Sequence, residues 1–219
     1  MTATRFIIVD DHPLFRGALR QALLNSFVGV EIGEAGSLDA LIKSLEANSD
    51  VDLILLDLTM PGVQGLSGLL FLRSQHPTIP VIVVSAIDDP AVIRRCLDYG
   101  ASGFVTKSQP VERIRDAVNT VMSGEVWTPD GLDQTPASSP EDRDLATRYA
   151  SLTPQQVRVL MMLGEGLLNK QIAYKLNVSE ATIKAHVSAI LQKLAVDSRT
   201  QAVIAVNKIG AVEFQKHSM

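Results

Sequence analysis

Through its first 123 residues the chain alternates short apolar runs with longer amphipathic stretches. The runs fall at residues 6–9 (FIIV), 53–56 (LILL), 81–84 (VIVV) and 103–106 (GFVT), with a mixed one at 30–34 (VEIGE). They are short, β-branched and mostly without polar alternation, as expected of strands buried on both faces of a sheet. A helical stretch follows each, so the pattern predicts an α/β domain of five βα units around a parallel, doubly wound sheet over residues 1–123. Pro13, Pro90 and Pro110 fall where helices open, the turn in which a missing N–H costs least. Beyond Gly124 the pattern breaks down. Residues 129–144 (PDGLDQTPASSPEDRD) mix Pro, Ser and acidic side chains without a repeat, so 124–150 is expected to be a flexible or extended linker.

From Leu152 the periodicity is helical only, giving a second, all-α domain at 151–219. Thr153, Pro154 and Gln156 form a helix start: a Thr cap, Pro at the first helical position and Gln positioned to close a capping box. That helix should run to about residue 163, followed by a short one at 170–176. Asn177, which tolerates the left-handed conformation, ends it, and Ser179 caps a third. Two short helices joined by so tight a turn make a helix-turn-helix. In the third helix Ile183, Val187, Ile190, Leu191 and Leu194 form one apolar stripe, while Ala181, Lys184, Ala185, Ser188 and Gln192 lie opposite. Small residues with a cation between them suit close approach to a DNA major groove; an ordinary solvated face is the competing reading.

Charge sharpens that choice. The chain carries 20 Lys and Arg against 24 Asp and Glu, split as −5 over residues 1–129, −3 over 130–150 and +4 over 151–219. A basic domain on an acidic protein points to an anionic partner for that domain alone. One cysteine, Cys96, excludes an intrachain disulfide and a cysteine-rich zinc site and fits a reducing compartment. No stretch approaches the ~18 apolar residues of a membrane span, and no signal peptide is evident, so a cytoplasmic protein is expected.

The apolar runs of the first domain stop at reactive side chains: Asp10 and Asp11, Asp57, Ser85 and Lys107. Sites in parallel sheets lie beyond the carboxyl ends of the strands, so these residues should converge. Adjacent carboxylates repel unless a cation sits among them, and Mg2+ is usually held by one or two carboxylates with water and phosphate. Asp57 at a strand end, with Thr59, Met60, Pro61 and Gly62 turning the chain behind it, can act as a nucleophile and form an acyl phosphate. Lys107 offers an ammonium and Ser85 a hydroxyl to the phosphoryl oxygens. N-capping of the following helix is the plainer role for Asp10 and Asp11.

The segments FIIVDDHPLFR, LILLDLTMPGVQG, VIVVSA and GASGFVTKSQP resemble a two-component receiver domain. LTPQQVRVL, GEGLLNKQIAYKL, VSEATIKAHVSAILQKL and SRTQAV resemble a LuxR-type helix-turn-helix. Over nearly its whole length the chain is thus similar to a NarL/FixJ-family response regulator, which implies a flavodoxin-like receiver and a four-helix DNA-binding domain. The resemblance further implies that Asp57 accepts phosphate from a sensor histidine kinase. It assigns Mg2+ to Asp11, Asp57 and the Thr59 carbonyl, with Asp10 assisting through water. Ser85 and Lys107 would sense the phosphoryl group and Phe104 would be the switch aromatic. Thr182, Lys184, Ala185, Ser188 and Lys193 are the expected contacts to double-stranded DNA.

Gln156 and Gln171 stand where the family usually has Glu, and Asn177 where it has Gly. His12, His76, His186 and His217 show no metal-ligand spacing, Cys96 suits a buried small hydrophobe, and Trp127 suits a packing anchor. An aspartate-nucleophile phosphatase would want a second Asp two residues after the nucleophile, where this chain has Thr59. A regulator using its receiver only for dimerisation would not need the full polar set. The charge split predicts an acidic receiver folded back over the recognition helix, and Val203 and Val206 predict a homodimer face on the last helix, used when the protein is phosphorylated.

Overall fold

The structure, a computed structural model, describes residues 4–60, 65–132 and 139–210, the last five by their backbone only. The strands are β1 (Arg5–Val9), β2 (Glu31–Ala35), β3 (Leu53–Leu56), β4 (Val81–Ser85) and β5 (Gly103–Thr106). They form one parallel sheet in the order β2-β1-β3-β4-β5. Between them run α1 (Pro13–Ser26), α2 (Leu38–Ala47), α3 (Ser67–Gln75), α4 (Pro90–Asp98) and α5 (Val111–Met122). Pro13 and Pro90 open their helices as expected, whereas Pro110 is the cap and α5 starts one residue later.

Strand side chains alternate between two cores because a strand repeats every two residues. Phe6, Ile8, Leu53, Leu55, Ile82, Val84 and Val105 face α1 and α5. Ile7, Val9, Ile54, Leu56, Val81, Val83 and Phe104 belong to the core on the other side of the sheet. Both sides are covered, which is why the strands are continuously apolar in sequence. The order reverses between β1 and β3, opening a crevice at their carboxyl ends. At the far edge, Gly103 bridges to Trp127, which donates its N–H to the Ser102 carbonyl and accepts from Phe104 N–H. A Cβ on Gly103 would stand 3.0 Å from Trp127 Cβ, so a side chain there would have to push Trp127 back by a few tenths of an ångström.

The second domain holds α7 (Pro154–Gly164), α8 (Asn169–Leu176), α9 (Glu180–Leu194) and α10 (Arg199–Gly210). The Thr153/Gln156 capping box forms, Asn177 ends α8 at φ 53°, and Ser179 caps α9 by accepting from Thr182 N–H.

One expectation is corrected. The stretch 124–150 is not linker throughout, because Pro140–Ala150 forms a further helix, α6. Ser139 caps it, Asp142 closes the capping box and Pro140 occupies its first turn. Its buried residues, Ala146 and Tyr149, join the core that begins under the sheet and continues into α7–α10. Five acidic or basic residues in eleven positions, PEDRDLATRYA, hide that stripe in sequence. The remaining linker residues 133–138, the Pro61 and Gly62 turn, His217 and the Val206 side chain lie outside the described residues.

Candidate functional site

Asp10 follows β1 directly and is 2% exposed; Asp57 follows β3 and is 1% exposed. Backbone bonding fixes both. Asp10 N–H donates to the Ala35 carbonyl at 3.0 Å, and Asp57 N–H donates to the Val9 carbonyl at 2.8 Å. Lys107, just past β5, is anchored by its own N–H to the Ser85 carbonyl at 2.7 Å. Its Nζ reaches Asp10 Oδ2 at 2.6 Å and Asp57 Oδ2 at 2.9 Å, with the Phe15 ring centroid 4.8 Å away. Burial pulls the Lys107 ammonium down, but the hydrogen bonds and charges of Asp10 and Asp57 outweigh it and raise its pKa above the ordinary lysine value.

Thr59 donates to Asp57 from its N–H (3.3 Å) and from its hydroxyl (3.0 and 3.1 Å). Ser85 is fully buried at the end of β4, its Oγ accepting from Ile87 N–H at 3.3 Å. Phe104 is fully buried in the core, two residues before the end of β5. Asp10, Asp11, Asp57 and Lys107 therefore come together, Thr59 joins them through Asp57, and Ser85 meets Lys107 through its backbone carbonyl only.

His12 is the residue that sequence reading passed over. Its N–H donates to Asp10 Oδ1 at 2.7 Å and its Nδ1 lies 2.8 Å from Asp11 Oδ1. Single ligand atoms of Asp10, Asp11, His12 and Asp57 all fall within 4.8 Å of one another. Asp11 Oδ1 is buried and receives no hydrogen bond among the described residues, so His12 offsets its charge only when protonated. Three carboxylates, one with a buried oxygen lacking a hydrogen bond, form a donor set that fits a hard divalent cation. The adjacency of a histidine to two acids was the available signal; its spacing gave no metal motif.

On the second domain Thr182, Lys184, Ala185 and Ser188 are exposed on one side of α9, while Ile183, Ile190 and Leu194 are buried on the other. Thr182 is held at the helix start by Ser179, and Lys184 pairs with Glu180 at 3.1 Å. Lys193 departs from expectation. Its ammonium donates to the Ser151 carbonyl at 2.6 Å and to Gln156 Oε1 at 2.9 Å, so it ties α9 to the start of α7 instead of projecting toward DNA.

The folded-back arrangement also differs from the one the charges suggested. The receiver side meets α6, α7 and α10 through α3. The acidic surface therefore does not cover the exposed side of α9. Among the described residues no helix is long and apolar enough to cross a membrane.

Comparison with known proteins agrees with this geometry. Residues 6–119 match the response regulator receiver domain, and residues 150–206 match the bacterial regulatory proteins of the luxR family. The glycerol metabolism activator of Pseudomonas putida is 43% identical over 213 residues, covering 94% of this chain and 96% of its own. The nitrate/nitrite response regulator protein NarP of Escherichia coli is 35% identical, covering 93% and 94%. A solved structure of RcsB from Salmonella enterica serovar Typhimurium, bound to promoter P1flhDC in the presence of the phosphomimetic BeF3-, is also similar. It has a TM-score of 0.56 and 27% identity, covering 95% of this chain and 98% of that one.

Proposed function

Because this chain belongs to the response-regulator family that joins a receiver to a LuxR-type DNA-binding domain, we propose that phosphorylation of Asp57 controls its pairing and its occupancy of DNA. The observation that carries this reading is the pocket itself: a buried Asp57 carboxylate held by Lys107 and Thr59 beside Asp10 and Asp11.

An Asp57 carboxylate oxygen attacks the phosphorus of a phosphohistidine on a sensor histidine kinase. The P–N bond breaks, an acyl P–O bond forms, and the imidazole leaves with a proton from solvent. Asp11, Asp57 and the Thr59 carbonyl would hold Mg2+, with Asp10 acting through water; when bound, the ion neutralises charge developing on the phosphoryl oxygens. Lys107, already on Asp57 Oδ2, exchanges that carboxylate oxygen for a phosphoryl oxygen, and the Ser85 hydroxyl turns to donate to another. Phe104 shares β5 with Thr106 and lies close before Lys107, so rearrangement there reaches the core. At the output end, Thr182, Lys184, Ala185 and Ser188 would enter the major groove of double-stranded DNA. Val203 on α10 would help form the homodimer face, matching two half-sites. Such a regulator works in the cytoplasm, and the family is one of transcription regulators.

The test is labelling with acetyl phosphate and Mg2+. Asp57→Asn should take up no phosphate and keep its circular dichroism spectrum, because the substitution is isosteric. Labelling equal to wild type would overturn the assignment.

A further inference from the structure

Arg16 stands in the opening turn of α1, where a cation opposes the helix dipole and an acidic residue would be favoured. Its side chain is mostly buried, with 18% exposed. The guanidinium turns back from the helix to the edge of the sheet that carries the acidic pocket. Nη1 donates to the Asp10 carbonyl at 2.6 Å, and Nε pairs with Glu34 near the end of β2 at 3.2 Å. Glu34 is held in turn by Arg20, one turn further along α1, at 3.4 Å. A local rule of helix formation is thus broken beside a functional pocket, which is where such departures collect.

What the bond to Asp10 fixes is a peptide plane. The Asp10 carbonyl and the Asp11 N–H belong to one rigid unit, so holding the oxygen sets the direction in which the Asp11 side chain leaves the chain. The Asp10 N–H is tied to the Ala35 carbonyl, next along the chain from Glu34. The end of β2 therefore grips the Asp10–Asp11 corner twice, directly through Ala35 and by way of Arg16 through Glu34. Asp11 does little to hold the corner itself: its buried Oδ1 receives no hydrogen bond among the described residues and has only the His12 ring nitrogen 2.8 Å away. Glu34 also matters for charge. A bare guanidinium behind the pocket would repel a dication, whereas one paired with a carboxylate orients the corner at little electrostatic cost.

We propose that Arg16, braced by Glu34, is a positioning residue for the divalent cation, holding the Asp10–Asp11 peptide so that the Asp11 carboxylate is already aimed at the ion's place. This rests on the reading that Asp11 and Asp57 hold Mg2+. Arginine suits the task because its planar fork reaches the carbonyl and the carboxylate together, while a lysine ammonium is a single point charge.

The test measures Mg2+ binding to the full chain by isothermal titration calorimetry, beside the Mg2+ dependence of labelling by acetyl phosphate. Arg16→Met keeps the length of the side chain and removes its charge and donors. A guanidinium acting through charge alone would repel the ion, so its removal would tighten binding. Loss of a positioning residue instead weakens Mg2+ binding about tenfold, the lower end for groups that orient metal ligands. The half-saturating Mg2+ concentration for labelling should rise by the same factor, and Arg16→Lys should fall between. Glu34→Ala leaves Arg16 in place without its brace and should weaken binding several-fold; it carries the test if Arg16→Met loses the wild-type circular dichroism spectrum. Mg2+ affinity equal to wild type or tighter in the folded variant overturns the proposal, and so does slower labelling at an unchanged half-saturating Mg2+ concentration. A wild type that binds no Mg2+ overturns the metal reading and the proposal together.

Discussion

At the scale of single residues, burial and partner decide what each polar group does. Lys107 stays charged because two carboxylates repay its desolvation, while the buried Asp11 Oδ1 receives no hydrogen bond among the described residues and has only the His12 ring nitrogen 2.8 Å away. His76, the residue that ends α3, shows the opposite case. Its ring packs edge-on against Phe71 at 6.4 Å, and burial holds its pKa below the ordinary 6.5. As pH falls below 6.5 the unfolded chain takes up this proton before the folded chain does, so its contribution to stability is whole above 6.5 and declines as pH drops through the folded value. Urea unfolding between about pH 5.5 and 7.5, one unit either side of the ordinary histidine pKa, should show this decline in wild type and a flatter profile in His76→Gln.

At the scale of elements, α9 separates reading from holding. Lys184→Ala should weaken DNA binding by about 1–3 kcal/mol if the ammonium reads a base. An equal loss on all sequences, with the salt slope lower by about one, identifies a phosphate contact. Lys193→Ala should act mainly on stability, losing about 1–2 kcal/mol in urea unfolding, because it removes bonds to Ser151 and the buried Gln156. Anisotropy with labelled DNA at several salt concentrations, beside unfolding curves, distinguishes the two residues. The strands and α7–α9 were legible in the sequence because their signals are local: unbroken apolar runs, a capping box, a left-handed Asn177. Helix α6 was not, since its apolar stripe comes down to Leu145, Ala146 and Tyr149 among charges, and its reason for folding is a surface 77 to 82 residues away. The pocket residues were legible as strand ends, but Lys193 was not, because nothing local reveals that its partner is a carbonyl at the end of another helix.

At the scale of the whole molecule, one buried cluster runs from the sheet through α3 into α6–α10. Shared core of this kind couples the unfolding of the parts it joins. Calorimetry of the unphosphorylated chain should therefore show a single transition, and Gln75→Glu, which sets a carboxylate against the Leu152 carbonyl that Gln75 Nε2 now bonds at 2.9 Å, should resolve it into two. The open side of α9 carries a further consequence, for timing. On the proposed function, a domain of net positive charge whose reading side is open would slide and hop along DNA by charge before any signal. Target search would then be under way in advance, and the delay before a response would reflect how soon two neighbouring copies on the same duplex meet.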